Sequence, residues 1–295
     1  MSIFHRHKTI FTLLGFVLPA LLFYVIFFLV PAAGGVWYSL TNWNGLTRSY
    51  SFVGLDNYVE VFKQDPIFWD SLLFTLKYVF YMVILQNILA ILLAVFIESR
   101  ASSKVWFRTI FFMPNMISMI IGGFMWMFIF TKVLPYIAEH TIFKFLDQSW
   151  IGDPNFSFFA ILVVSLWGGV GYLMVIYIAA LQGVPKTLKE AAAIDGANAW
   201  HIFRHVTLPM IYPALTIGLF VTLNSSFKVF DAVFSLTGGG PGRSTQVIAL
   251  NIYEEAFAMN SRYGYASAKA MILFLVVFII TMIQLRVMKK REVEA

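Results

Sequence analysis

Two imidazoles, His201 and His205, stand four residues apart, a spacing that sets both on one helix face as in some zinc sites. Neither an acidic side chain nor a thiolate stands near enough to complete a set. The chain has no cysteine, and its remaining histidines are His5, His7 and His140. The pair therefore reads as a solvated or docking face, and no metal site is expected. A second stretch, GGGPGRST (Gly238–Thr245), has the glycines of a phosphate cradle. A Walker A loop needs G-x-x-x-x-G-K-[ST] between a strand and a helix. The glycine spacing before Arg243 does not fit, and no strand precedes it, so the stretch reads as a loop. With no other phosphate loop and no catalytic constellation, the chain is expected to bind no ATP or other cofactor itself and to hydrolyse nothing. A third stretch, EAAAIDGANAWHIFRHVTLP (Glu190–Pro209), gathers Glu190, Asp195, His201, Arg204 and His205 around a glycine. What it does depends on what positions it.

Long apolar blocks flank it on both sides. The 295 residues are 60% hydrophobic and only 12% charged, about half the charge of a soluble domain, with a mean hydropathy of +0.79. The apolar residues come in runs of about 20 or more, enough to cross the hydrocarbon as helix. Six such blocks are predicted: Phe11–Val30, Ser71–Ile97, Thr109–Phe130, Phe158–Leu181, Met210–Phe230 and Tyr265–Leu285. The alternating short segments of a β-barrel are missing, so the fold class is an all-α, multi-pass membrane protein with six transmembrane helices. The first block, preceded by Arg6 and Lys8, has the flanks of a signal peptide. Its apolar run exceeds a signal core of about 7–15 residues, and it reads as an uncleaved helix. By segment, residues 1–70 hold the first span and first loop, 71–287 a five-helix core and 288–295 a tail.

The basic residues orient the chain. With the N-terminus inside, twelve Lys and Arg fall in inner segments (Arg6, Lys8, Arg100, Lys104, Arg108, Lys186, Lys189, Arg204, Arg286, Lys289, Lys290, Arg291) and six in outer loops (Arg48, Lys63, Lys132, Lys144, Arg243, Arg262). That asymmetry puts both termini in the cytoplasm. The net charge of +6 is a topology signal and points to no nucleic acid. Lys77, Lys228 and Lys269 fall within or at the ends of spans. All three are expected near outer helix ends, where a long stem snorkels to the interface.

The third stretch now has an address on the cytoplasmic side, between spans four and five. Pro185 suits a first helical turn, and Thr187 with Glu190 has capping-box spacing. A short helix is predicted over Lys186–Ile194, ended by Gly196. A second is capped by Asn198 and runs through Trp200, Ile202, Phe203 and Val206. Leu208-Pro209 then returns the chain to the membrane. The residues alone fit an ordinary return loop with an interfacial amphipathic helix. They also allow, as the second choice, a helix–glycine–helix unit whose thin, alanine-rich surface another protein can approach.

The pattern Glu190-Ala191-Ala192, Gly196 and Val206-Thr207-Leu208-Pro209 resembles the EAA motif of ATP-binding-cassette importer permeases, with Val206 in place of the usual Ile. FVGLDNY (Phe52–Tyr58) and LTGGGP (Leu236–Pro241) are similar to the sugar-importer branch, whose permeases form maltose-type inner-membrane pairs. The resemblance spans the chain. It implies a type I importer permease fold and a coupling role for Glu190, Ala191, Ala192, Asp195, Gly196, Leu208 and Pro209, which would dock on a separate ATPase subunit that binds ATP and magnesium. It also implies as partners a second permease in a heterodimer, two ATPase copies and an extracytoplasmic solute-binding protein. The setting would be a bacterial or archaeal cytoplasmic membrane.

For the solute path, Trp167 and Tyr172 flank the glycines of span four, Gly169 among them, and offer flat faces to a sugar ring. Thr222 and Ser226 lie four apart on one side of span five, with Asn224 turned away. Asn115 follows Pro114 in span three. Polar groups at depth serve either substrate or interhelical hydrogen bonds, and the residues alone leave both open; the resemblance favours substrate. Lys228 and Asp231 are expected to neutralise one another. The chain thus reads as a transport subunit for di- or oligosaccharides working by alternating access, and not as an enzyme. A phosphorylated polyol such as glycerol phosphate is the alternative cargo. A secondary transporter is the alternative class, although no Asp or Glu lies deep in a predicted span.

Overall fold

The computed structural model describes residues 15–99, 103–258 and 261–290. Phe11–Leu14 of the expected first span, and Arg6, Lys8, Arg100 and Arg291 of the charge tally, lie outside the described residues. Helix dominates, and among the described residues the only extended pairing is an isolated antiparallel bridge between Thr41 and Phe52. Five helices are long and apolar enough to cross a membrane, and a bent pair passes the same test when its two helices are taken together. They are α1 (Gly15–Tyr38), α3 (Pro66–Glu98), α5 (Met119–His140), α6 (Pro154–Gly183), α12 (Tyr263–Lys289) and the pair α8 (Ala199–Met210) with α9 (Tyr212–Phe227). Shorter helices are α2 (Asp56–Gln64), α4 (Lys104–Phe112), α7 (Lys186–Ile194), α10 (Asp231–Leu236) and α11 (Ile248–Tyr253).

Proline shapes these spans. Three widened turns, Val25–Leu29, Ile129–Val133 and Phe203–Thr207, each lie just before a proline, at Pro31, Pro135 and Pro209. A ring that clashes with the preceding turn and cannot donate to it is accommodated where the hydrogen-bond step lengthens to a π turn. The 71° bend between α8 and α9 at Ile211 sits between Pro209 and Pro213 and has the same origin.

The third span departs from expectation. Thr109–Phe130 is not one helix: α4 ends at Phe112, a 3₁₀ turn covers Met113–Met116, and Ile117 and Ser118 are extended (ψ 133° and 131°) before α5 starts at Met119. Pro114 opens the break, and hydropathy cannot register it because apolar residues fill both sides. The crossing helix is α5, which runs on to His140. Span one likewise continues past Val30 to Tyr38.

The chain forms two compact units. One holds residues up to 65 together with 252–274. In it α1 exposes nearly all its apolar side chains, Phe16 at 80% and Phe27 at 71%, a surface suited to lipid or a partner helix. Tyr38, Trp43 and Tyr263 stack about Gly264, where any Cβ would collide with the carbonyl oxygens of Thr41 and Tyr38. Lys269 is here, and it does not snorkel. It is 1% exposed, with Nζ 2.7 Å from Asp65 and 3.1 Å from Glu255. Tyr265 donates to the same Asp65 at 2.9 Å, and Arg262 reaches Glu60 at 2.6 Å. Two carboxylates brought by distant segments make burial tolerable where a lone ammonium would have to reach water.

The other unit holds residues 66–251 and 275 onward. In it α3 packs along α6 and α9, and α10 packs on α5. Its core is Ala90, Ala94 and Ile97 of α3 against Leu173, Met174 and Tyr177 of α6. Glycines set the closest approaches. A Cβ at Gly171 would strike the carbonyl of Phe111, and one at Gly218 the hydroxyl of Tyr177. Lys77 is exposed, with its Nζ 4.2 Å above the Phe158 ring.

Candidate functional site

A cavity of about 260 Å³ lies among the mid-lengths of α3 and α6, the break in span three and the end of α9. Tyr78 and Gln86 face it from α3, Ser165 and Gly169 from α6, Asn115 from the break and Ser226 from α9. The break places Asn115 there: its Nδ2 donates to the Gly168 carbonyl at 3.2 Å, leaving its side-chain oxygen to accept. Gly168 and Gly169 keep the floor low, since a Cβ on Gly169 would come within 2.7 Å of the Gln86 amide. Ser226 is 3% exposed and its hydroxyl has no hydrogen-bond partner among the described residues. A buried hydroxyl is normally satisfied, so this one is poised for a polar solute or water. The rim carries one cation, Lys228, and one anion, Asp231. Both are exposed, and they form no ion pair with each other among the described residues. The expected direct pairing is absent, although the two charges balance at the rim: α9 ends at Phe227 and α10 begins at Asp231, so the two do not share one continuous helix face.

Of the residues singled out from sequence, Asn115, Gly169 and Ser226 line this cavity. Thr222 does not. It is 1% exposed, donates to the Gly218 carbonyl at 2.8 Å and accepts from Asn87 Nδ2 at 3.2 Å. Asn87 in turn accepts from the Tyr177 hydroxyl, so this node joins α3, α6 and α9. Trp167 turns away, edge-on to Trp126 at 5.8 Å and above Gly122. Tyr172 is 43% exposed on the outside of α6. Tyr78, Gln86 and Ser165 were not anticipated. They are polar residues in apolar runs, as Ser226 is, but only the packing of α3 on α6 shows that their faces meet at one cavity.

The EAA hairpin stands at the other end of α6. Helix α7 covers Lys186–Ile194 as predicted, and it ends in a Schellman arrangement. Gly196 donates to Ala193 at 3.1 Å and Ala197 to Ala192 at 3.0 Å, with Gly196 at φ +84°, a backbone region that glycine adopts without penalty. Asn198 caps α8 by accepting from the His201 amide at 2.9 Å. The capping box does not form. Pro185 takes the N-cap position, so Thr187 lies inside the first turn and cannot cap. Glu190, Ala191, Asp195 and Gly196 are exposed, as are Ile194 and Trp200, while Leu208 and Pro209 are half-buried at the return to the bundle. His201 and His205 stack 5.8 Å apart, and no metal-binding cluster occurs among the described residues.

This architecture has relatives. Residues 86–293 match the model of the binding-protein-dependent transport system inner membrane component. The chain belongs to that family. It is 41% identical over 279 residues (95% of this chain, 94% of the relative) to the probable starch degradation products transport system permease protein AmyD of Thermoanaerobacterium thermosulfurigenes. It is 35% identical over 278 residues (94% and 95%) to the multiple sugar-binding transport system permease protein MsmF of Streptococcus mutans. It is 32% identical over 278 residues (93% of each) to the sn-glycerol-3-phosphate transport system permease protein UgpA of Pectobacterium atrosepticum. Its fold matches a chain in the crystal structure of a bacterial ABC transporter that imports the acidic polysaccharide alginate, with a TM-score of 0.82 and 22% identity over 98% of this chain and 99% of that one. The chain thus has the fold of an importer permease and belongs with transport subunits.

Proposed function

We propose that this chain is one membrane subunit of an ATP-driven, binding-protein-dependent importer of di- or oligosaccharides. The observation that carries this reading is the cavity beside Ser226. Hydroxyl and amide groups of Tyr78, Gln86, Asn115, Ser165 and Ser226 line it, a chemistry suited to a neutral polyhydroxylated solute. A second permease would complete the pathway. One of two ATPase subunits, which bind ATP and magnesium, would dock on Glu190–Gly196, and an extracytoplasmic binding protein would deliver the sugar. Both termini would lie in the cytoplasm. ATP-driven closure of the ATPases would move the EAA hairpin, and the spans would alternate between outward and inward access. The chain itself would hold no cofactor.

The glycerol-phosphate relative and the exposed Lys228 favour a second cargo. A phosphate with about two negative charges calls for an excess of cations, whereas Lys228 is matched by Asp231 at the rim. Neutral sugar is the better fit. The test is uptake by the assembled complex in proteoliposomes, supplied in turn with maltooligosaccharide and with glycerol 3-phosphate together with their binding proteins. Sugar-stimulated ATP hydrolysis supports the proposal. Stimulation by glycerol 3-phosphate alone would transfer the assignment to the polyol, and gradient-driven uptake by this chain without an ATPase would end it.

A further inference from the structure

A second cavity, about 750 Å³, lies at the α7 end of the bundle, between the EAA hairpin and the last turns of α3 and α6. Val95, Leu181 and Val184 form its wall on the bundle side, and Ile202 and Phe203 close it from α8. Its charged lining is Lys104, Lys186, Lys189 and a single carboxylate, Glu98. That carboxylate is already committed: it accepts from Lys104 at 2.8 Å, from Arg108 at 2.5 Å and from Gln182 at 3.0 Å. Lys186 and Lys189 make no ion pair among the described residues. The cavity therefore has an uncompensated positive charge beside an apolar wall, at the level where two membrane spans end.

We propose that this cavity binds an anionic phospholipid. Lys186 and Lys189 take the headgroup phosphate, and an acyl chain lies against Val95, Leu181 and Phe203. Basic pockets between spans are suited to such headgroups. The docking residues of the hairpin argue against an ATPase segment as the occupant, because Glu190, Asp195 and Gly196 do not line the cavity. Its wall belongs to the spans. A lipid seated there fills the space between the hairpin and the bundle, so motion of one is passed to the other through the lipid. This assignment does not depend on which solute is carried.

The experiment is native mass spectrometry of the full chain, purified and titrated with dioleoyl phosphatidylglycerol, with dioleoyl phosphatidylcholine and with inorganic phosphate. Each lysine near an anionic headgroup contributes about fivefold in affinity, so Lys186→Gln with Lys189→Gln should weaken phosphatidylglycerol binding about 25-fold, while Lys186→Arg with Lys189→Arg restores it. Should the glutamine variant fail to fold, a photoactivatable phosphatidylglycerol on the unaltered protein gives an independent reading, with label expected in residues 95–98, at Lys104 or in residues 181–207. Equal retention of phosphatidylcholine, displacement of the lipid by inorganic phosphate, label elsewhere, or loss of label only when the ATPase subunits are bound would each overturn the proposal.

Discussion

The EAA hairpin and the mid-bundle cavity are built on opposite plans. The hairpin is held by neighbours in sequence: Asn198 caps α8 three residues on, and Gly196 and Ala197 close α7 onto carbonyls within five residues. Its outer side chains Ile194 and Trp200 are exposed, at 86% and 63%, and under the proposed function an ATPase subunit covers them. The cavity is held by residues far apart in sequence, with Thr222 bonded to Asn87 across 135 positions and Asn115 to Gly168 across 53. A surface made to be covered can be specified locally, whereas an internal space needs long-range agreement. Substitutions in the hairpin should therefore spare folding and damage coupling, while those around the cavity should divide between stability and transport.

The largest effect is expected at Gly196. A β-branched residue at φ +84° meets no neighbour, yet the left-handed backbone alone costs it about 1–2 kcal/mol and should reshape the docking surface. Gly196→Val should abolish uptake while the chain is inserted at normal levels, as read by sugar accumulation and membrane blots. Normal uptake would remove the coupling role.

Next comes the Asn87 node. Thr222→Val deletes a hydroxyl bonded on both sides. Side-chain hydrogen bonds inside membranes are worth about 0.6 kcal/mol and at most about 1.7, so the variant should melt a few degrees lower with its apparent affinity for sugar unchanged. A loss of affinity without a loss of stability would place Thr222 on the solute path after all.

Ser226→Ala tests the other half of the comparison, four residues further along the same helix. Its hydroxyl has no partner to lose among the described residues, so the melting temperature should hold, while KM for uptake should rise a few-fold. An equal drop in melting temperature for both variants would erase the distinction between node and cavity. The smallest effect is expected at Lys77, whose contact with Phe158 is worth about 0.5–1 kcal/mol at an exposed site. Lys77→Met should leave transport unchanged and lower the melting temperature by no more than Thr222→Val does.

Legibility follows the same division. Span existence, the limits of α7 and the cap at Asn198 could be read because each is set by composition or by residues within one turn. The Thr187–Glu190 box was misread because Pro185 itself fixes the start of α7. Ser226, Asn115 and Gly169 were found through their polarity or smallness in apolar runs. The same signal selected Thr222, whose neighbour Asn87 lies on another helix. Gln86 and Ser165 give the same local signal, but nothing in their own spans shows that those faces meet. The break at Pro114 escaped because its flanks are equally oily. The burial of Lys269 escaped because its carboxylates come from elsewhere in the chain.

That lysine has a consequence for how distant parts of the chain depend on one another. Asp65 is synthesised before α3, whereas Tyr265, bonded to it, stands 200 positions later. Without that carboxylate and Glu255 the buried ammonium would have no charge partner, a costly state for a lysine in a membrane span. Loss of the Asp65 carboxylate is therefore expected to destabilise α12 as well as the first loop, which lowered protein levels of Asp65→Ala in membrane blots would show.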